Sequence, residues 1–426
     1  MDSNTRRPTS GPEDDGISSQ EKNQGMHQVW TLTFSLAILQ VGFGIVTPIF
    51  PYYVIDLGAR AIDLGMLAAS FALTRILLAG PLGGLSDNVG RKTVLMYSLV
   101  GFAISNVIYA SAETIIVMIA ARALEGAVSA GFYPAANAYV SDVTTPENRG
   151  TAMGYISMGN MVGFVVGPTV GGILAQFLGI RIPFLVAALG AIGTLIAVML
   201  LVQEPPRVSI EPAGNQISRP PLLEVLQKES KAYTALGISM FSNMFAIGIL
   251  EVAFTLEIVE TYGISPLEIG LFFGVLGIVT IIGNILFGKM SDRLGRKWLI
   301  VVGSFIGALS MYIFMIATNL PGFFLGGVVL GIAMSMRGPT IQALTADLTD
   351  QRSYGIIMGM MGAVSNSAYV VGPLLGGFLY DKNGNSYEAL AAAVIVSCMG
   401  GVGAIAGLPN KIRRSAVRPE SLDEPD

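Results

Sequence analysis

Apolar runs long enough to cross a bilayer recur along the chain near 29–55, 63–85, 93–112, 114–140, 151–176, 181–203, 233–257, 266–288, 298–318, 321–346, 354–380 and 386–408, separated by short polar breaks. A helix needs about 20 apolar residues to span the hydrocarbon core. The pattern therefore predicts an all-α membrane protein with twelve transmembrane helices. One break is longer: residues 204–232 hold Pro205, Pro206, Pro212, Pro220 and Pro221 and divide the runs six and six. The expected organisation is a disordered tail over 1–28, a six-helix bundle over 29–203, a linker over 204–232, a second bundle over 233–408 and a tail over 409–426.

Composition agrees with this reading, with 52% hydrophobic against 13% charged residues in a chain of 426. The single cysteine, Cys398, excludes a disulfide framework and a cysteine-based metal site. Charge adds an orientation. Of the 25 Lys and Arg, Arg75, Arg122 and Arg337 lie within spans, and Arg60, Arg181 and Lys382 fall in the loops of one side. The remaining nineteen fall in the tails and loops of the other side. That asymmetry predicts that both ends are cytoplasmic.

The polar break "GGLSDNVGRK" at 83–92 returns as "GKMSDRLGRK" at 288–297, a shift of 205. The same shift carries Gly126 to Gly331, Pro134 to Pro339, Asp142 to Asp347, Gly167 to Gly372, Pro168 to Pro373 and Gly172 to Gly377. So many coincidences of Gly, Pro and Asp indicate an internal duplication. Because each half holds an even number of spans, the copies run in the same direction, as parallel repeats about a pseudo-two-fold axis along the membrane normal. The break also has a superficial likeness to a phosphate loop, but five residues instead of four separate Gly84 from Gly90 and Arg91 stands where lysine is required.

On these motifs the chain resembles the major facilitator superfamily, and within it the twelve-span drug:proton antiporters. The resemblance rests on the loop with Gly83, Asp87, Gly90, Arg91 and Lys92, on its repeat with Asp292 and Arg296, and on R-x-x-x-G at Arg122 and Gly126. It rests also on "GFVVGPTVGG" at 163–172, which includes Gly163, Gly167, Pro168, Gly171 and Gly172. It implies a gating latch in which Asp87 meets the start of span 11 and Arg91 pairs with Asp142. By repeat symmetry Arg296 pairs with Asp347. It implies that span 5 meets span 8 between the halves. The four-residue spacing of Gly159, Gly163, Gly167 and Gly171 makes one smooth helix face, expected at that seam against Gly270 and Gly274. It further implies that spans 1, 4, 7 and 10 line a cavity, supplying Gln40, Phe43, Tyr133, Asn137, Asn243 and Phe254.

Proton coupling needs a group that titrates within the membrane. The one histidine, His27, lies in the tail, which leaves carboxylates. Glu125 and Glu251 are the intramembrane acids at issue, with Arg122 three residues before Glu125 on the same helix face. Glu125 is expected to exchange the proton, and Glu251 to attract solutes near the outer mouth. The expected function is proton-coupled export of small amphiphilic or drug-like compounds by alternating access from a plasma-membrane monomer. Its partners are a small-molecule substrate, protons and the lipid bilayer, without nucleic acid, metal or cofactor. The alternatives are a symporter or facilitator for a sugar or other metabolite, or a non-transporting membrane sensor. No nucleophile, base and orienting group recur at a spacing that suggests enzyme chemistry.

Overall fold

The structure, a computed structural model, describes residues 19–205, 229–349 and 351–409. Both tails beyond these bounds and most of the proline-rich linker lie outside the described residues, as do the side chains of Asp87 and Asp292. Twelve helices are long and apolar enough to cross a membrane. In chain order they are α1 (Gln28–Asp56), α2 (Ala61–Ser86), α3 (Arg91–Ser111), α4 (Ile115–Val143), α5 (Asn148–Leu178) and α6 (Ile182–Leu201) in the first half. The second half holds α7 (Ser230–Glu260), α8 (Pro266–Ser291), α9 (Arg296–Ile316), α10 (Leu320–Leu348), α11 (Ser353–Asn383) and α12 (Tyr387–Gly407). No strand occurs among the described residues.

The duplication extends to the helix ends. Ala61 and Pro266, Ser111 and Ile316, Ile115 and Leu320, and Leu178 and Asn383 are equivalent termini, each pair separated by the 205 residues of the sequence repeat. The outer ends of α1 and α7, Asp56 and Glu260, are one residue closer in number. The α7–α8 connection is therefore one residue longer than the α1–α2 connection.

Each half repeats one packing scheme. In the first, α1 lies against α5 and α6, α3 against α4 and α6, and α2 against α4; in the second, α7, α9 and α8 make the equivalent contacts. Close crossings need small residues, because between apolar helices in lipid van der Waals packing replaces the hydrophobic effect as the driving force. Gly126 of α4 is one such residue: a methyl group there would collide with Thr74 and the Phe71 carbonyl of α2. Its equivalent Gly331 brings α10 against Leu276 and Val279 of α8. The glycine of R-x-x-x-G thus sets a helix crossing within each half.

The glycine face of α5 is placed differently from expectation. Gly159, Gly163, Gly167 and Gly171 pack against Thr33, Gln40, Gly44 and Ile45 of α1, inside the first half. The seam with α8 is made by the adjacent face, where Gly172 and Pro168 meet Gly270 and Thr169 meets Gly274. At about 3.6 residues per turn these two faces differ by one residue step, roughly 100°. Both are made of small residues, so spacing alone does not say which neighbour each one meets.

The halves touch chiefly along two pairs, α2 with α11 and α5 with α8, with smaller contacts of α1 with α7 and α8 and of α2 with α7. These contacts gather at the side opposite the chain ends, the outer side. There a methyl on Gly65 would lie 2.6 Å from the Pro373 carbonyl, and Gly377 abuts Ala61. Asp381 of α11 accepts hydrogen bonds from the amides of Ala61 and Ile62 at 2.9 and 3.1 Å, closing the unsatisfied N-terminus of α2. The Tyr52 hydroxyl donates to the Ile264 carbonyl. At the inner ends the opposite holds: methyls built on Gly80, Gly83 and Gly84 of α2, or on Gly355, Gly359 and Gly362 of α11, would meet nothing within 4 Å. The halves are closed together at the end opposite the chain termini and stand apart at the other.

Candidate transport cavity

Two local distortions shape the centre of the molecule at equivalent depths. In α1 the helix tightens to a 3₁₀ turn at Thr47–Ile49, where Pro48 lacks an amide donor and cannot complete a normal turn. In α7 it widens to a π segment at Leu250–Phe254. Such a segment takes an extra residue per turn and carries Glu251 into the space between the halves. A cavity of about 460 Å³ lies there, lined by Gln40, Phe43, Phe71, Arg75, Arg122, Tyr133, Asn160, Glu251, Phe273 and Tyr369 among others. A second chamber of about 540 Å³, between α2, α4 and α11 on the inner side, shares Arg75 and Tyr133 with it.

Charge in this space is organised by the two halves separately. Arg122 is buried and pairs with the fully buried Glu125 at 2.6 Å. The same carboxylate oxygen accepts the Tyr109 hydroxyl at 2.9 Å. The Arg122 guanidinium is held between the rings of Phe50 and Phe71, 4.9 and 4.6 Å from their centroids, a geometry in which ring quadrupoles favour the cation. Arg122 faces the cavity and Glu125 lies behind it. From the second half, Glu251 accepts the Tyr369 hydroxyl and faces the cavity. Glu251 therefore sits centrally beneath the outer seal, a correction to its expected place near the outer mouth. The Tyr369 hydroxyl of α11 holds the carboxylate there, a partner that spacing along α7 does not reveal.

Of the residues expected to line the cavity, Gln40, Phe43 and Tyr133 do so, and Tyr133 donates its hydroxyl to Gln40. Asn137 lines the inner chamber. Asn243 and Phe254 do not line either space. Asn243 accepts a hydrogen bond from the buried Arg337 within the second half. Phe254 is only 1% exposed and packs in an aromatic cluster with Phe272, Phe314 and Phe323, because the π segment turns it away from Glu251's face.

The loop residues are ordered at the inner ends. Gly90 and Gly295 have φ of 114° and 89°, a region that favours glycine, and each makes the turn between two spans. Arg91 Nε lies 3.3 Å from Asp142 while its Nη1 donates to Ser86 Oγ at 2.6 Å; Arg296 pairs with Asp347. Gly83 lies within the helix that precedes the turn, and its carbonyl accepts the Ser86 hydroxyl at 2.9 Å. Lys92 donates to the Met199 carbonyl at 2.8 Å. The carboxylate at the start of α3 is Glu204, which accepts from the amides of Arg91 and Lys92 at 2.6 and 3.1 Å.

A profile of the Major Facilitator Superfamily matches residues 32–233 and 236–423. The chain belongs to that superfamily. It is a membrane transporter built on the facilitator fold. It is 28% identical over 361 residues to multidrug resistance protein 2 of Bacillus subtilis, covering 83% of this chain and 88% of that one. It is 26% identical over 360 residues to the quinolone resistance protein NorA of Staphylococcus aureus, covering 83% and 90%. Among solved structures, a bacterial homolog of the human lysosomal transporter Spinster, in an inward-facing and occupied conformation, aligns with a TM-score of 0.77 at 19% identity, over 93% of this chain and 99% of that one. The likeness to that structure concerns the fold.

Several residues of this facilitator's cavity and gates escaped the sequence reading. Tyr109 and Tyr369 share their spans with other tyrosines, Tyr97 in α3 and Tyr354 and Tyr380 in α11, and nothing in their neighbourhoods marks them as partners of acids. Asp381 and Glu204 sit at helix ends, where an acid is ordinary; what each caps is a helix distant in sequence. Arg75 is the exception: an arginine inside a span is a visible signal, although its surroundings are not.

Proposed function

We propose that this transporter exports small amphiphilic compounds by proton-coupled alternating access, with its inner side facing the cytoplasm. The supporting observation is the opposition of Arg122 and Glu251 across a chamber sealed outside and open inside. A carboxylate exposed to that chamber can take a proton from one side and release it to the other as access alternates. Glu125, held by Arg122 and Tyr109, is better suited to anchoring the arginine than to exchanging protons. The exchanging role therefore passes to Glu251.

The drug-resistance names of the two relatives support efflux as the direction. The apolar and aromatic wall of Phe43, Phe71, Phe164, Met244, Phe273 and Met334 supports solutes with substantial apolar surface, which such side chains accommodate by repacking. The inner-end ion pairs and the Gly90 and Gly295 turns, formed within each half while the inner ends stand apart, support a gate at that end. Purified protein in proteoliposomes with an imposed proton gradient tests the reading. Proton movement dependent on amphiphilic dyes, and absent with sugars, is expected; proton movement with sugars alone would overturn it.

A further inference from the structure

Arg75 is the cation of the cavity that no acid among the described residues answers. Arg122 is neutralised by Glu125 and Arg337 is buried away from the cavity within the second half. Arg75 is half-buried and lines both the central cavity and the inner chamber. Its guanidinium lies 5.5 Å from the centroid of the Tyr133 ring. That contact occupies a face of the planar group and leaves its edge of N–H donors available. Among the described residues no carboxylate lies within ion-pair distance of Arg75, and no Asp or Glu lines the inner chamber.

Position adds to charge. Arg75 and Tyr133 belong to both spaces, so a solute moving from the open inner side to Glu251 passes them. A cation would meet Arg75 before any acid, whereas an anion would meet its partner there. In a site with low-dielectric walls that ordering selects strongly by sign. A second polar atom, Asn160 Oδ1, is buried in the same cavity wall without a donor. It complements a solute that carries an N–H or O–H group as well as its anion.

We propose that Arg75 is the recognition point for an anionic head group, so that the preferred substrates are amphiphiles bearing a carboxylate or a similar oxyanion. Arginine suits this role because its donors form a fork that matches two oxyanion oxygens. This rests on the reading of the chain as an exporter of amphiphiles and specifies the charge of what it exports.

The test uses two xanthene dyes that differ by one group, a free carboxylate in one and its methyl ester in the other. In proteoliposomes, the wild-type KM for the carboxylate dye is expected to be at least about tenfold lower than for the ester, a difference of about 1.4 kcal/mol. Arg75→Gln should raise the carboxylate KM about tenfold without raising the ester KM, and Arg75→Lys, which keeps the charge but not the fork, should restore part of the preference. An equal loss for both dyes in Arg75→Gln, or an ester preference that survives it, would overturn the proposal. If neither dye moves uphill, the export reading is what has failed. Equilibrium binding to the purified protein then decides the site: tighter binding of the carboxylate dye, lost in Arg75→Gln, upholds it, and equal binding of both dyes refutes it.

Discussion

The α1–α5 pair and the α7–α11 pair occupy equivalent places in the two halves, yet they close differently. Along α5 the small residues are continuous. A methyl on Gly159 would lie 2.8 Å from the Thr33 carbonyl, and one on Gly167 would lie 2.7 Å from Cα of Gly44. In α11 the equivalents of Gly159 and Gly163 are Val364 and Ala368. Close approach there survives only toward the outer side, where a methyl on Gly372 would lie 2.6 Å from the Phe245 carbonyl and one on Gly376 a looser 3.4 Å from Cα of Ile249. The inner ends diverge and leave an apolar cavity of about 630 Å³ between α7, α11 and α12, lined by Gly237, Phe241, Val364 and Met399 among others. A duplicated backbone therefore does not make duplicated mechanics. The first half is packed along its length, and the second has room for α7 and α11 to move.

The charges differ in the same sense. The buried arginine of the first half has a buried acid, two flanking rings and a tyrosine; Arg337 in the second half has a single neutral partner and leaves Nε and one terminal nitrogen without acceptors. Replacing each by methionine should show the largest contrast. Arg122→Met leaves Glu125 buried and unpaired, at a cost of about 3–5 kcal/mol, and is expected to abolish folded yield or transport. Arg337→Met leaves only a neutral amide unsatisfied, about 1–3 kcal/mol. Thermal unfolding in detergent measures both, and equal losses would remove the distinction between the halves.

The acids provide the next contrast. Glu251→Gln should eliminate uphill, proton-driven export while substrate binding and downhill exchange persist, because the cavity keeps its shape and loses its titrating group. Glu125→Gln should reduce transport through a loosened Arg122 yet leave the residual transport coupled. Uphill transport and equilibrium exchange assayed on both variants decide the assignment. Coupling retained in Glu251→Gln and lost in Glu125→Gln would return the proton to the first half.

Packing contrasts should be smaller. Gly171→Ala, directed at the Ile45 carbonyl, is expected to cost about 1–3 kcal/mol, whereas Gly376→Ala, at ordinary contact distance, should stay within about 0.5 kcal/mol. Similar melting shifts for the two would mean that the α1–α5 and α7–α11 seams are equally tight. The smallest effect is expected for Gly237→Leu, which fills part of the apolar cavity. Lipid chains solvate such a surface about as well as leucine does, so the change should be below about 1 kcal/mol. A large destabilisation would show that α7 and α11 must approach each other there.

The sequence by itself determined the span count, the division into halves and the parallel repeat, because each follows from hydropathy, charge and spacing read along the chain. It marked Arg122, Glu125 and Glu251 because a charged group within a span is expensive wherever it points. It also marked the turns at Gly90 and Gly295 and the acids Asp142 and Asp347 near them, since these recur at one offset. The direction of a helix face was decided only in three dimensions. Gly167 and Gly172 look alike in sequence, yet one meets α1 and the other α8. Asn243 and Phe254 lie on the expected helix but point away from the cavity. The π segment that turns Phe254 aside and brings Glu251 inward leaves no mark in composition, because helix register at that depth is set by packing against neighbouring helices. Asp381 and Tyr369 acquired their partners in the same way, through contacts between helices far apart in the chain that local pattern does not encode.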